Sequence, residues 1–262
     1  MADKHGLLAL LDGGFHLGSL NIIAARHSMG KTALALNIAQ SSVEKSNAAV
    51  LIFSLELSAE QIARRMAAAQ AEVSLYSMIT RTMSHGELDK LTTATKILEQ
   101  QPIFVDDTAM LTTSSFRTSC RAFKEKHPNL GLIVVDYLQI MTLEKRTKNR
   151  HEETAEILRD LKDTAKELNC PILVLSQLPR KKDKGLDNTP TLSDLHGTPE
   201  EAIEQFADTV MFLHREDYYY AKNTSQDSEA CLIVAKNDGG QTGEVSLTFQ
   251  REFTRLSGDM IN

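Results

Sequence analysis

LNIIAARHSMGKTALALNIAQ, residues 20–40, is the stretch whose reading decides the fold. Leu20 to Ala25 is apolar almost throughout, without the alternation of a half-exposed strand, which fits a strand covered on both faces by helices. It runs directly into Arg26, His27, Ser28, Met29, Gly30, Lys31 and Thr32, and then into an alanine-rich helix opener. At such a junction consecutive backbone amides point at an anion, Gly30 lets the chain approach a phosphate, and Lys31 bridges the outer phosphates. The Thr32 hydroxyl can ligate magnesium. Ser28, Met29, Gly30, Lys31 and Thr32 therefore form the candidate phosphate-binding set. The strict motif begins with Gly, and Ala25 holds that place.

Outward from this junction, similar runs recur at 49–55, 102–105, 132–135, 171–175, 209–213, 231–235 and 244–249, with helix-patterned segments between most of them. Ser58 with Gln61 and Ser84 with Glu87 are capping-box pairs that open helices. Ile157, Leu161, Ala165 and Leu168 mark one face of another helix. Strand, helix and strand repeated in this way predict an α/β fold, a mostly parallel twisted sheet with helices on both faces. The last two runs, joined by AKNDGGQTGE without a helix, predict an antiparallel hairpin at one edge. The polar stretches 144–150 and 180–190 are too charged for core and are expected as loops. Residues 1–12 are expected as a short lead-in, and 13–262 as one domain.

Three further runs end in chemically useful residues. AVLIFSL leads to Glu56, LIVV to Asp136, and PILVLS to Gln177. Ligands of open α/β sheets bind outside the carboxyl ends of the strands, so these side chains and the phosphate loop converge on one crevice. That set suits ATP hydrolysis: Glu56 to polarise a water, Asp136 for Mg2+, Gln177 to sense the γ-phosphate.

Composition excludes several alternatives. With 29 Lys+Arg against 35 Asp+Glu the net charge of the 262 residues is -6, so nucleic acid would be held by local basic loops and not by bulk charge. Three scattered cysteines argue against a disulfide framework or structural zinc, and place the chain in a reducing, cytoplasmic setting. No run approaches the length of a membrane span. His151, Glu152 and Glu153 open like H-E-x-x-H, but Ala155 at the fifth place excludes that metal site. Tyr218, Tyr219 and Tyr220 form an aromatic cluster suited to a subunit contact or a loop.

FSLELSAEQIARRMAAAQ, LIVVDYLQIM, TAEILRDLKDTAKELNCPILVLSQLPR, and SDL followed by IEQFADTVMFLHRED resemble the ATPase domain of DnaB-type replicative helicases, a RecA-like P-loop motor, over about residues 6–256. The resemblance implies Ala at the first P-loop position, a homo-hexamer around single-stranded DNA, 5′–3′ movement powered by ATP, and helicase-loader and primase partners. It implies Lys31 and Thr32 as phosphate and magnesium residues, Glu56 as base, Asp136 as the second magnesium residue, Gln177 as sensor and Arg180 beside it. Lys236 corresponds to a family lysine that serves a neighbour's nucleotide. Asp238 stands where that family has an arginine finger, and an acid there would repel a phosphate. Segment 193–205, SDLHGTPEEAIEQ, is two residues longer than usual and carries His196 where Arg is common. The DNA-facing candidates are Arg180, Lys181, Lys182, Lys184, His196 and Gln205. With 5% aromatics and no Trp, backbone electrostatics would dominate any grip on DNA. The alternative function is a nucleotide-gated assembly or regulatory protein that binds ATP without rapid turnover.

Overall fold

A computed structural model describes residues 6–145, 149–179, 188–217 and 227–258. Its elements are α1 (Leu7–Leu10), β1 (Leu20–Ala25), α2 (Lys31–Ser46), β2 (Ala49–Ser54), α3 (Ala59–Ala71), α4 (Leu75–Thr80), α5 (His85–Leu98) and β3 (Ile103–Asp106). There follow α6 (Thr113–Lys126), β4 (Leu130–Asp136), α7 (Arg150–Leu168), β5 (Ile172–Gln177), α8 (Ala202–Phe206), β6 (Thr209–His214), β7 (Ser228–Asn237), β8 (Gly243–Gln250) and β9 (Arg255–Gly258). Short 3-10 turns cover Leu138–Ile140, Leu192–Leu195 and Pro199–Glu201.

Among the described residues the strands form one nine-stranded sheet in the order β3-β2-β4-β5-β1-β6-β7-β8-β9. The strands from β3 to β6 pair in parallel, and β6 to β9 pair antiparallel. The expected α/β fold is present. The edge differs from expectation: β9 follows the β7–β8 hairpin and takes the outermost place, so β8 is internal. RLSG offers only Leu256 to the core, too short a signal to mark a strand.

The continuous apolar runs are explained by two cores. Ile23, Ala25, Ile52, Val134 and Leu175 face one side, with α2 and α3. Ile22, Ala24, Phe53, Val135 and Val174 face the other, with α6 and α7. Consecutive strand residues thus enter opposite cores, and alternation disappears. Both predicted capping boxes open their helices, at Ser58 for α3 and Ser84 for α5. On α7, Ile157, Leu161 and Ala165 are fully buried. The segment before residue 13 packs against the sheet from α1 onward. Leu7, Leu10 and Leu11 are buried, and the Leu10 carbonyl accepts from the Asn237 Nδ2 amide at 2.8 Å and the Gln241 amide at 3.1 Å.

The amino end of β1 is fixed by Asp208. Its carboxylate accepts from the Leu20 amide at 2.6 Å and from Lys162 Nζ on α7 at 2.5 Å, joining β1, α7 and the start of β6. Asp208→Ala would leave an amide and a partly buried ammonium without this acceptor. We expect a loss of about 1–3 kcal/mol and, at roughly 2–4 °C per kcal/mol for a chain of this size, a Tm several degrees lower in thermal unfolding. An unchanged Tm would show that water replaces the carboxylate without cost.

Candidate functional site

β1 ends at Ala25, and the chain reverses through Ser28 (φ 60°) and Gly30 (φ 101°), both left-handed, before α2 begins at Lys31. Glycine is required at 30 for two reasons: φ itself, and a Cβ there would meet the Phe249 ring at 3.2 Å. The Lys31 ammonium rests 3.3 Å from the Ala25 carbonyl. Burial pushes its pKa down, while the carboxylates of Asp136 and Glu56 oppose that shift.

Thr32 Oγ1 donates to Asp136 Oδ2 at 2.7 Å. Asp136 ends β4, is 3% exposed, and has its pKa raised by burial; the Thr32 hydrogen bond works against the rise and Glu56 adds to it. A hydroxyl and a carboxylate are hard oxygen donors of the kind magnesium takes, the remainder coming from phosphate and water. Among the described residues no group of three or more His, Cys, Asp or Glu could hold a metal ion.

These groups share a cleft of about 370 Å³ with Glu56 and Gln177. Glu56 is exposed at its mouth, just beyond β2, where the Leu55 amide donates to the Asp136 carbonyl at 2.8 Å and ties the two strand ends. The predicted set Ser28, Gly30, Lys31, Thr32, Glu56, Asp136 and Gln177 is therefore brought together. Met29 is not part of the lining: its side chain is 1% exposed and belongs to the core, so only its backbone can face an anion.

Lining residues outside the expected site set include Arg65, Tyr137, Phe249 and Thr254. Arg65 lies three residues after buried Ile62 on α3, a helical spacing that turns it inward, whereas its neighbour Arg64 pairs outward with Glu60 at 2.5 Å. Behind Phe249 lies Arg215, 2% exposed, with its guanidinium 4.2 Å from the Phe249 ring centre and 3.0 Å from Asp217.

Other candidates lie elsewhere. Lys236 pairs with Val210 in a register that puts it at the amino end of β1, opposite the phosphate loop. Its Nζ donates to the carbonyls of Glu204 at 3.0 Å and Ala207 at 2.6 Å, and Asp238 is 3.3 Å away. Lys236 thus does not join the cleft of its own chain. His196 and Gln205 are exposed in one shallow cleft with Glu152, Glu201 and Glu204, and His196 Nε2 lies 3.1 Å from Glu204. That setting is acidic and opposes a phosphate. Arg180, Lys181, Lys182 and Lys184, like Tyr218, Tyr219 and Tyr220, lie outside the described residues. The stems flanking 180–187 are both tied to the start of the phosphate loop: the Leu178 amide donates to the Ala25 carbonyl at 2.9 Å, and Arg26 Nη1 donates to the Asn188 carbonyl at 3.0 Å. No helix among the described residues is long and apolar enough to cross a membrane.

Comparison with known proteins gives a consistent picture. Residues 6–258 match the family described as DnaB-like helicase C terminal domain. The chain is 41% identical over 244 residues to the replicative DNA helicase DnaC of Bacillus subtilis (strain 168), covering 93% of this chain and 53% of that protein. It is likewise 41% identical to the replicative DNA helicase DnaB of Geobacillus stearothermophilus, with the same coverage. The chain thus spans about half the length of the curated relatives it matches. Among solved structures, one described as an ATPase domain superposes with a TM-score of 0.87 at 29% identity, covering 98% of this chain and 93% of that one. A DnaB-like replicative helicase studied with its interactions with primase superposes with a TM-score of 0.86 at 30% identity, covering 97% of this chain and 62% of that one.

The burial of Asp136 has a measurable consequence. Its folded pKa lies above its unfolded value, so between the two the native state binds more protons and stability falls as pH rises. Asp136→Asn removes that penalty while keeping an acceptor for Thr32. The nucleotide-free variant should melt higher than wild type at about pH 8, with the gain shrinking towards about pH 4, the ordinary carboxylate value. Melting curves across that range check it, and a variant less stable at every pH would contradict it.

Proposed function

Because the chain belongs to the DnaB-like helicase C-terminal domain family, we propose that it is the motor of a replicative DNA helicase: an ATPase that couples hydrolysis to 5′–3′ movement along single-stranded DNA and duplex unwinding. The observation that carries this reading is the convergence of Lys31, Thr32, Glu56, Asp136 and Gln177 on one cleft at the carboxyl ends of parallel strands.

In this reading the amides of residues 28–32 and the Lys31 ammonium hold the β- and γ-phosphates. Magnesium, held through Thr32 and Asp136, would neutralise charge on the phosphate oxygens. Glu56 accepts a proton from the attacking water as the water oxygen bonds to the γ-phosphorus and the bond to the β-γ bridging oxygen breaks, releasing ADP and phosphate. In the same reading Gln177, which lines the cleft, responds to the γ-phosphate. Phe249, 8% exposed and packed beside Gly30, closes the side of the cleft next to the phosphate loop. Single-stranded DNA would be held by phosphate contacts from the basic segment 180–187, with little sequence preference and strong salt dependence. The working assembly is a homo-hexamer in the cytoplasm that engages primase and a helicase loader.

A second reading is favoured by one observation. Asp238, which the resemblance sets at the family's finger-arginine position, sits 3.3 Å from Lys236, so this chain presents a paired acid and base there. In that reading the protein is a nucleotide-gated assembly or regulatory protein that binds ATP without rapid turnover.

Turnover separates the two. Glu56→Gln should retain ATP binding and lose about 10²- to 10⁴-fold in hydrolysis, the usual contribution of a positioned base, whereas Lys31→Ala should lose binding and hydrolysis together. DNA-stimulated phosphate release at high protein concentration is the measurement. Tight ATP binding by wild type with no phosphate release, with or without single-stranded DNA, favours the second reading; unchanged DNA-stimulated hydrolysis in Lys31→Ala removes the first.

A further inference from the structure

Gln139 lies in the 3-10 turn just after β4, three residues beyond Asp136, and its side chain reaches across to β5. Its Oε1 accepts from the Gln177 amide at 3.2 Å, while its Nε2 donates to the Gln177 carbonyl at 3.0 Å. The β4–β5 backbone pairing runs from Ile133↔Ile172 to Val135↔Val174. The Gln139 amide therefore takes the place of a ladder strand at Gln177 and fixes the peptide from which that side chain enters the cleft.

The same Nε2 is also 3.0 Å from Ser176 Oγ and 3.0 Å from Glu200 Oε1. A primary amide has two N–H donors, and three acceptors compete for them here. Glu200 is 8% exposed, and it belongs to the Pro199–Glu201 turn that leads into α8. The Gln139 backbone is held from the other side: Arg150 Nη2 donates to its carbonyl at 2.8 Å, and Nη1 pairs at 2.8 Å with Glu153, which is 6% exposed.

From this juxtaposition we propose that Gln139 is a positioning residue that couples Gln177 to the 199–206 segment. When Gln177 moves to meet a γ-phosphate, its carbonyl withdraws from or advances on the shared Nε2, and the donor is redistributed towards or away from Glu200. Two donors among three acceptors give discrete arrangements, which a coupling element requires. The inference rests on the nucleotide-binding reading above.

Amide hydrogen exchange of the full chain, with and without magnesium and a non-hydrolysable ATP analogue, tests it. In wild type, peptides spanning the phosphate loop become protected and peptides spanning 199–206 change their exchange. In Gln139→Leu the phosphate-loop protection persists and the response at 199–206 disappears. Glu200→Ala, which leaves the Gln139–Gln177 pairing intact, gives the same pattern and serves as the deciding variant if Gln139→Leu does not fold. A purely structural role would shift exchange equally with and without nucleotide, leaving the difference intact. In hydrolysis assays Gln139→Leu lowers kcat about tenfold with KM for ATP within about twofold, as expected when a group is misplaced and not deleted. Persistence of the nucleotide response at 199–206 in the folded variant, or its absence in wild type whose phosphate loop is protected, overturns the proposal. Absence of phosphate-loop protection in wild type sinks the nucleotide-binding reading, and this inference with it.

Discussion

The hydrogen bond from Thr32 to Asp136 ties the first turn of α2 to the end of β4, although β1, which leads into α2, is separated from β4 by β5. Ile22 and Val135 both stand opposite Val174, so β1 runs on past the level of Asp136 before it ends at Ala25. The chain must then fold back over the end of β5 to bring Thr32 to the carboxylate. That reversal is what the left-handed residues Ser28 and Gly30 accomplish, and Phe249 packed against Gly30 fixes how close the loop lies. The register of three strands, a reversed loop and one aromatic contact thus place the hydroxyl and the carboxylate together. The cost is a buried carboxylate with its pKa raised, which works against the stability of the fold above its ordinary titration range.

Much of this is legible in the sequence because it is local. The strand runs are continuous since alternate residues enter two different cores, and that property is written residue by residue in LNIIAA and LIVV. The helix openings at Ser58 and Ser84 depend on residues three apart. Glu56, Asp136 and Gln177 can be assigned to one crevice because parallel strands present their carboxyl ends on the same side.

What the sequence hides depends on chain segments far apart. Phe249 and Thr254 reach the phosphate loop only because the antiparallel strands continue the sheet beside β6, some 220 residues after Gly30, and no local pattern carries that. Arg65 is one of two adjacent arginines, and only the burial of Ile62 and Met66 shows which of the pair turns inward. Met29 holds a motif position without a side-chain role, because the loop needs only its amide. β9 has one core residue and cannot announce itself.

Lys236 shows how a motif residue acquires a second explanation once its neighbours are seen. Its ammonium is held by the carbonyls of Glu204 and Ala207, the end of α8, where a cation satisfies orphan acceptors and suits the helix dipole. Asp238 then stands beside a lysine already occupied within its own chain. The acid places an opposite charge 3.3 Å from that ammonium. Arg215 is committed to Phe249 and Asp217, and Arg255 to Glu72 at 2.7 Å. Among the described residues, the Lys and Arg side chains that line the cleft of this chain are Lys31 and Arg65, set against the carboxylates of Glu56 and Asp136. The described lining is therefore close to charge-balanced, so the charge of any polyphosphate bound there would have to be met by groups outside it.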